Sequence, residues 1–383
     1  MVERAAASAI ERDALRAALG HILEGAGTEA TVARTLRALA LDRAGRRRVA
    51  RALFRASVLR VRLAYLAGAG DAAALLDALE RDDARAFEHA RWPADPLERL
   101  AVELSCPAWL CARLITGVGV EGARAFLEVS NRPGPKTLRA NTLLTSREGL
   151  ARALAAEGVA THAGALTPWS LLVHEPDDDD AVRPSLTATR AWRDGHVEIQ
   201  DESSQWCALA CGARPGHVVL DLCAGRGGKA LALAACMENQ GELWLHDVDE
   251  RALHDAMART RRAGVRCARV GLPAPGSADV VLVDAPCSAL GPLRRSPDLR
   301  FTLTPAALEA FPPAQAALVS QGARFVRPGG RMVYATCTLL PEENQAVAHG
   351  VDGDLLEERT LLPHVEGCDG FFVSVRASSR ARW

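Results

Sequence analysis

The spacing of apolar residues divides the chain into regions with different predicted structures. In the first 92 residues apolar side chains recur three and four positions apart, as in ERDALRAALGHILEG and VARTLRALALDRAGRRRVARALF. This period is that of an amphipathic helix. Gly68 and Gly70 interrupt the pattern, which then resumes. Residues 1–92 are therefore predicted to form a domain of several short helices.

Residues 97–200 show a mixed pattern. The first part of this region has the spacing of two further helices. A short strand is predicted from Thr137 to Thr145, and the helix after it has Ser146 as a suitable N-cap. Another strand is predicted around Ser170–His174, and a strand, a polar turn and a helix over His196–Gly212. The region is predicted to be a small α/β module.

From residue 201 onward, strands and helices alternate. The strand signals are the β-branched runs VVLDL, LWLHDVD, DVVLVDA and RMVYATC, which are separated by stretches with helical spacing. This alternation predicts a doubly wound parallel sheet with helices on both faces. Residues 201–383 are predicted to form this α/β domain. Ligands in such folds bind beyond the carboxyl ends of the strands.

Composition limits the class of protein. Apolar residues make up 49% of the chain and charged residues 24%, and the formal net charge is −1. A near-neutral protein does not hold nucleic acid by bulk charge alone, although the arginines at 43–51 fit either a solvated helix face or RNA backbone contact. No apolar run approaches the roughly 18 residues of a membrane span. A cytoplasmic monomer without membrane association is expected.

The cysteines give no sign of a disulfide framework or a metal site. There are ten of them, none in a CxxC pair, so most are expected to be small buried hydrophobes. The acidic run at 177–180 is predicted to be an exposed loop. No metal is expected.

A glycine-rich turn follows the first strand of the α/β domain. The run Cys223–Lys229, CAGRGGK, leads from the strand VVLDL into a helix. Glycines there let a ligand approach the backbone amides closely. The next strand ends in Asp247 and Asp249, where a carboxylate can hold a ribose diol. Together these features fit either NAD or S-adenosylmethionine. Lys229 is one of only two lysines in the chain.

Two later strands each end in a short polar turn that holds a cysteine. The first turn is Asp284–Ser288 and the second is Thr336–Thr338. Either cysteine alone would more often be a buried thiol than a reactive one. Because both follow strands downstream of one cofactor loop, we expect them to share an active site with Asp284.

These motifs resemble those of a known family. DLCAGRGGK, DAPCSALGPLRRSPDLR and YATCTLLPEENQ are similar to the signature motifs of RNA cytosine-5 (m5C) methyltransferases of the RsmB (Sun)/Nop2 type. TLRANTL, VEIQDESSQ and GFFVSV also match the pattern, so the resemblance covers roughly residues 97–383. The helical start is similar to the NusB-like domain of the bacterial 16S rRNA member. The resemblance implies a Rossmann-like class I fold that uses S-adenosylmethionine and acts on RNA.

The resemblance also implies the roles of individual residues. The cysteine of the second turn would add to C6 of cytosine and the cysteine of the first would assist product release. Asp284 would bond the base edge, and Lys229 would supply positive charge. The implied catalytic residues are Cys337, Cys287, Asp284 and Lys229. The methyl donor would be held by Cys223, Ala224, Gly225, Gly227, Gly228, Lys229, Asp247 and Asp284. RNA contacts are expected from Arg139, Asn141, Arg294, Arg295 and Arg300.

The chain departs from the family pattern at two points. Gly225-Arg226 replaces the usual Ala-Pro pair of the glycine loop, and no carboxylate follows the third strand before Asp279. These departures keep open a second hypothesis, a non-catalytic RNA-binding or ribosome assembly factor on the same fold. A nicotinamide-dependent dehydrogenase is a weaker alternative, because it explains the glycine loop but neither cysteine turn.

Overall fold

The computed structural model describes residues 9–81, 90–174 and 185–378. The acidic run at 177–180 lies outside these ranges. The described chain forms two compact units. One contains the residues up to Pro133 together with the later segment Leu293–Pro305, and the other contains the rest. Helices that the sequence analysis assigned to the middle module thus group with the N-terminal ones, and the division into three domains stays a prediction.

The first unit is helical, as its apolar spacing predicts. Its main helices are α1 (Ala9–Leu23), α2 (Thr28–Ala38), α3 (Arg43–Val58), α4 (Arg60–Ala67), α5 (Ala72–Arg81), α6 (Pro96–Glu103) and α7 (Ala108–Ser130). The apolar stripes of α1, α3 and α4 meet in a core that buries Leu19, Leu53 and Leu63 completely. Asp42 caps α3 by accepting a hydrogen bond from Gly45 N at 2.7 Å.

No single described helix is long and apolar enough to cross a membrane. Helices α6 and α7 reach that length and apolarity only as a pair, and the pair is bent by 103°.

The segment Leu293–Pro305 belongs to the helical unit although it lies far along the chain. It includes a short helix, Leu299–Thr302. Asp298 accepts a hydrogen bond from Thr28 N at 2.6 Å, and Arg300 donates to Asn131 Oδ1 at 2.7 Å. These polar contacts, both with partners distant in sequence, fix the segment within the unit.

The second unit contains a small antiparallel sheet. Its strands are β1 (Thr137–Ala140), β2 (Thr161–Ala163), β3 (Ser170–Val173) and β4 (Val197–Ile199), in the order β2-β3-β1-β4. Helix α8 (Arg147–Ala156) packs on it through Leu150 and Leu154. Ser146 caps α8 as predicted, since its hydroxyl accepts from Gly149 N at 3.0 Å. The predicted strand from Thr137 is shorter than expected and ends at Ala140.

The same unit contains a sheet of seven strands. They are β5 (Val218–Asp221), β6 (Glu242–Leu245), β7 (Ala268–Val270), β8 (Ala278–Asp284), β9 (Val326–Thr336), β10 (Asp354–Leu361) and β11 (Phe371–Ala377). The order is β10-β11-β9-β8-β5-β6-β7. Strands β5 to β9 are parallel, and β10 and β11 add antiparallel pairs at one edge. This is the predicted Rossmann-like α/β fold.

Helices cover both faces of the large sheet. They are α9 (Glu202–Ala210), α10 (Gly228–Cys236), α11 (Glu250–Arg262) and α12 (Phe311–Ala323). Successive residues of a strand point to opposite faces, so Val280 packs in one core and Val281 in the other. Burial on both faces explains why the parallel strands read as continuous apolar runs.

Candidate active site

Two cysteines meet where neighbouring parallel strands end. β8 and β9 run side by side with Asp284 opposite Ala335, so the chain leaves both strands at the same edge of the sheet. Cys287 lies just beyond β8 and Cys337 directly follows β9. Their Sγ atoms are 3.4 Å apart, and both side chains are half-buried. The two turns therefore lie together, as their positions after adjacent strands led us to expect.

Close backbone approach holds the second turn in place. Gly291 N donates to Cys337 O at 2.9 Å, and Gly370 N donates to Gly291 O at 3.1 Å. A Cβ atom at Gly291 would lie 1.9 Å from Gly370 O and 2.9 Å from Cys337 O. Only glycine fits here, because any side chain would push the backbone that carries Cys337.

A lysine that is only 11% exposed pairs with the carboxylate at the end of β8. Lys229 Nζ donates to Asp284 Oδ2 at 2.5 Å and lies 5.0 Å from the centre of the Phe371 ring. Burial has the largest single effect and would lower the pKa of Lys229, but the charge and hydrogen bond of Asp284, together with the nearby Cys207 and Cys337 thiols, raise that pKa above its ordinary value. Lys229 is therefore a fixed positive charge beside Asp284.

The glycine loop runs between β5 and α10. Gly225 has φ +50° and Gly227 has φ +78°, a left-handed conformation that favours glycine at both positions. Gly225 N donates to Asp247 Oδ2 at 2.8 Å, and Asp249 N donates to Asp247 Oδ1 at 2.9 Å. Asp247 thus links the loop to the end of β6, and its contact with a ribose stays a prediction.

A cavity of about 270 Å³ opens beside this loop. It is lined by Ile199, Gln200, Ser204, Asp221, Cys223, Ala224, Gly225, Arg226, Gly228, Lys229, Arg259 and Asp284. Most of the predicted donor-binding residues are in this set. Gly227 and Asp247 lie in or against the same loop rather than in the lining.

Asp221 brings an uncompensated carboxylate to the cavity. Its side chain is 1% exposed, and within the described chain neither carboxylate oxygen has a hydrogen-bond partner. Burial, with a smaller effect of the nearby Asp284 carboxylate, raises the pKa of Asp221 to about 7. An unpaired buried carboxylate suits a cationic ligand, and S-adenosylmethionine carries both a sulfonium and an ammonium group. The residues of this cavity therefore fit the predicted donor.

The arginine that departs from the family pattern extends outward. The Arg226 side chain is 77% exposed, and its Nε lies 3.5 Å from Asp255 Oδ2 on α11. The Arg226 carbonyl accepts a hydrogen bond from Arg259 Nη1 at 2.7 Å. The guanidinium therefore pairs with α11 outside the loop.

Comparison with known proteins shows the family of this chain. The family model for the 16S rRNA methyltransferase RsmB/F matches residues 208–353, and the ferredoxin-like domain of RsmF/B-like methyltransferases matches residues 106–178. A probable ribosomal RNA small subunit methyltransferase B of Bacillus subtilis is 31% identical over 333 residues, which are 78% of this chain and 71% of the relative. The chain belongs to the RsmB/F family of rRNA methyltransferases. The predicted family is thereby confirmed.

Solved structures show the same fold as this RsmB/F family member. The crystal structure of PH0851 aligns with a TM-score of 0.78 and 21% identity, covering 97% of this chain and 99% of that one. NSun6 from Pyrococcus horikoshii, solved with the S-adenosylmethionine analogue SFG, aligns with a TM-score of 0.62 and 21% identity. That alignment covers 71% of this chain and 98% of NSun6. The predicted methyltransferase fold is confirmed.

Four of the five side chains predicted to contact RNA in this RsmB/F member are buried. Their exposed fractions are 0–4%, and they are Arg139, Asn141, Arg294 and Arg300. Arg300 Nη2 donates to Ser130 O at 3.2 Å within the helical unit, in addition to its bond with Asn131. The structure gives no support to the RNA contacts predicted for these four residues, because their side chains face the protein interior. Arg295 is exposed, and its RNA contact stays a prediction.

Two of these buried residues hold the small sheet instead. Arg139 Nε donates to Gln200 Oε1 at 2.8 Å. Asn141 Nδ2 donates to Gly195 O and to Ala263 O, each at 2.8 Å. Asn141 therefore joins the end of β1 to the end of α11. The sequence motif TLRANTL did not predict this structural role.

The sequence analysis missed a set of polar residues beneath the two cysteines. They are buried, and they are Ser288, Gln315, Thr338, Glu343 and Asn344. The available signal was the hydroxyl residue directly after each cysteine and the polar run PEENQ after the second turn. Spacing along the chain did not connect them, because their partners lie up to 55 residues away.

Proposed function

We propose that this protein transfers a methyl group from S-adenosylmethionine to C5 of a cytosine in small-subunit rRNA. The observation that carries the proposal is the 3.4 Å separation of Cys287 Sγ and Cys337 Sγ at the ends of β8 and β9. Cys287 follows the strand that presents Asp284 to the donor cavity, and Cys337 follows the neighbouring strand. Membership of an rRNA methyltransferase family supports RNA as the substrate.

Cytosine needs covalent activation before its C5 can be methylated. C5 is a weak nucleophile, and addition of a thiolate to C6 moves electron density to C5. Cys337 is the proposed nucleophile: its thiolate Sγ bonds to C6, and C5 takes the methyl group as S-adenosylhomocysteine leaves. The C5 proton then passes to water, and the electron pair of that C–H bond restores the C5–C6 double bond as the S–C6 bond breaks and returns the Cys337 thiolate. S-adenosylmethionine supplies an electrophilic methyl group when bound.

Cys287 has the environment of a thiol that keeps its proton. Its contact with Cys337 Sγ, together with burial, raises the pKa of Cys287 well above the ordinary value for cysteine. A protonated Cys287 beside Cys337 stabilises negative charge on the neighbouring sulfur by donating its S–H. The same S–H is proposed to donate to the Cys337 sulfur as that sulfur leaves C6, which assists release of the methylated base.

Asp284 and Lys229 are proposed to act on the base. Asp284 Oδ2 accepts from Lys229 Nζ at 2.5 Å, and the side chain of Asp284 is 27% exposed. A partly exposed carboxylate can also accept a hydrogen bond from the N4 amino group of cytosine, which has a donor at that edge. Lys229 would balance the charge of Asp284 and of the attacking thiolate.

The methyl donor would be held by the glycine loop. The backbone amide of Gly228 is the first of α10, and helix N-termini favour anionic groups such as the carboxylate of the donor. Asp247 is proposed to hold the ribose, and Asp221 to face the cationic part. Because C5 and C6 must be reached from the protein, the target cytosine has to be unpaired or turned out of a helix.

The test is methyl transfer by cysteine variants of the full chain. Cys337→Ala should abolish incorporation of labelled methyl groups into rRNA from cells lacking the enzyme. Cys287→Ala should accumulate a covalent protein–RNA adduct that survives denaturation. Cys236→Ala, which removes a half-buried thiol elsewhere, is the matched control and should behave as wild type. Bisulfite sequencing would identify the methylated cytosine.

Two results would contradict the proposal. Normal cytosine methylation by Cys337→Ala would show that another group attacks the base. Tight RNA binding without detectable heat of S-adenosylmethionine binding in calorimetry would favour the non-catalytic RNA-binding or assembly factor.

A further inference from the structure

A carboxylate is buried beneath the two cysteine turns. Glu343 is completely buried, and four hydrogen bonds from uncharged donors reach its side chain. Ser288 N donates to Oε2 at 2.8 Å, and Gln315 Nε2 donates to the same oxygen at 3.0 Å. Ser288 Oγ donates to Oε1 at 2.5 Å, and Thr338 Oγ1 at 3.3 Å. Burial of a carboxylate is costly unless such partners surround it.

These partners belong to three separate elements. Ser288 directly follows Cys287, Thr338 directly follows Cys337, and Gln315 lies on α12. Gln315 Nε2 also lies 3.0 Å from Pro286 O, within hydrogen-bond distance of the first turn. Glu343 is therefore the point through which both cysteine turns and α12 are joined.

The two turns run side by side at two successive positions. The cysteine sulfurs are 3.4 Å apart, and the hydroxyls of the next residues, Ser288 and Thr338, are 2.7 Å apart. The two cysteines are half-buried, and both hydroxyls lie within hydrogen-bond distance of Glu343 Oε1. The distance between the sulfurs is thus coupled to a hydrogen-bonded layer directly below them.

The segment that carries Glu343 is itself fixed. Tyr334 donates its hydroxyl hydrogen to Glu343 O at 2.5 Å. The Thr336 hydroxyl donates to Asn344 Oδ1 at 2.5 Å, and Asn344 Nδ2 donates to Thr338 O at 3.1 Å. Glu343 and Asn344 therefore cannot shift without moving the end of β9.

We propose that Glu343 is a positioning residue that holds the two cysteine turns in register, so that both thiols face one pyrimidine ring. The inference rests on the proposed cytosine-5 reaction. Glu343 touches neither thiol through a hydrogen bond and acts through Ser288 and Thr338. Two sulfurs that serve neighbouring atoms of one ring need a fixed separation, and misplacement by about 1 Å can cost roughly 100-fold in rate.

The substitution Glu343→Gln tests the arrangement with little change of volume. A Gln side chain replaces one acceptor oxygen by an NH₂ group. In one orientation this donor faces the Ser288 N–H and Gln315 Nε2 donors, and in the other it faces the two hydroxyls. We expect kcat to fall by about 100-fold while KM for S-adenosylmethionine changes less than about threefold. Thr338→Val should also lower kcat, and Thr338→Ser, which keeps the hydroxyl, should restore most of it.

A second measurement reports the thiol geometry without any RNA. Dibromobimane becomes fluorescent when it bridges two thiols, and peptide mapping identifies the bridged pair. The wild-type protein should form the Cys287–Cys337 bridge, and Glu343→Gln should form it several times more slowly. Glu103→Gln, which alters a buried carboxylate of the helical unit paired with Arg99 and Arg124, is the matched control and should leave bridging and kcat unchanged.

The outcomes separate the two proposals. A folded Glu343→Gln variant with wild-type bridging and wild-type kcat would overturn the positioning role, and so would a wild-type protein that forms no Cys287–Cys337 bridge. If wild-type protein methylates no cytosine but Glu343→Gln slows bridging, the proposed function fails and the positioning of the turns stands.

Discussion

Lys229 Nζ lies 2.5 Å from Asp284 Oδ2, which joins the helix after the glycine loop to the end of β8. Lys229 lies in the first turn of α10, and Asp284 is the last residue of β8. The pair therefore connects the proposed donor site with the proposed base site. Its side chains are 11% and 27% exposed, so solvent screens the attraction only in part.

Removal of this lysine should damage the reaction more than the fold. Lys229→Met leaves Asp284 without its cation and removes positive charge beside the attacking thiolate, so we expect methyl transfer to fall by about 100-fold or more. Initial rates of methyl incorporation would measure this. Lys136→Met, which changes the only other lysine, is the control. Equal rates for Lys229→Met and wild type would contradict the assigned role.

The buried carboxylate of Asp221 should make stability depend on pH. Its pKa is raised from an ordinary value near 3.8 to about 7, so between these values the native state holds a proton that the unfolded state has lost. Stability should therefore fall by up to a few kcal/mol as pH rises from about 4 to about 7, and then level off. Asp221→Asn should remove this dependence and raise the melting temperature at pH 8. Melting temperatures of both proteins at pH 5 and pH 8 would measure this dependence. The same pH dependence in Asp221→Asn as in wild type would contradict the prediction.

Gly291 should tolerate no side chain. A Cβ atom there would lie 1.9 Å from Gly370 O, so Gly291→Ala must displace backbone next to Cys337. We expect a loss of about 2 kcal/mol or more in stability and a large loss of activity. Gly20→Ala, inside α1 with nothing within 4 Å of the new Cβ, should instead be neutral or slightly stabilising. Denaturant unfolding of both variants would decide, and equal midpoints would contradict the close approach.

Arg300 should contribute to stability rather than to RNA affinity. Its guanidinium is completely buried and donates to Asn131 Oδ1 and Ser130 O. Arg300→Met leaves those acceptors unsatisfied, and we expect a loss of about 3 kcal/mol. Arg295→Met changes an exposed neighbour and serves as the control for stability. If Arg300→Met melts like wild type but binds RNA weakly, the RNA contact predicted from the sequence is supported instead.

The sequence by itself determined the order of the elements and the edge at which the chemistry lies. β-Branched runs predicted the strands around Val219, Val281 and Val333, and the turns after them placed the glycine loop and both cysteines at strand ends. Ser146 was correctly predicted as an N-cap because capping depends on neighbours within one turn. Such features are local, and local patterns survive in the sequence.

Only the tertiary structure decided which side chains are buried and which partners they have. Arg300 was predicted to contact RNA, but it lies in the interior and bonds to Asn131, 169 residues away in the sequence. Glu343 and Ser288 are 55 residues apart, and the pKa of Asp221 depends on burial that no motif records. Desolvation and hydrogen-bond pairing arise between segments that meet only when the chain has folded, so spacing along the sequence cannot specify them.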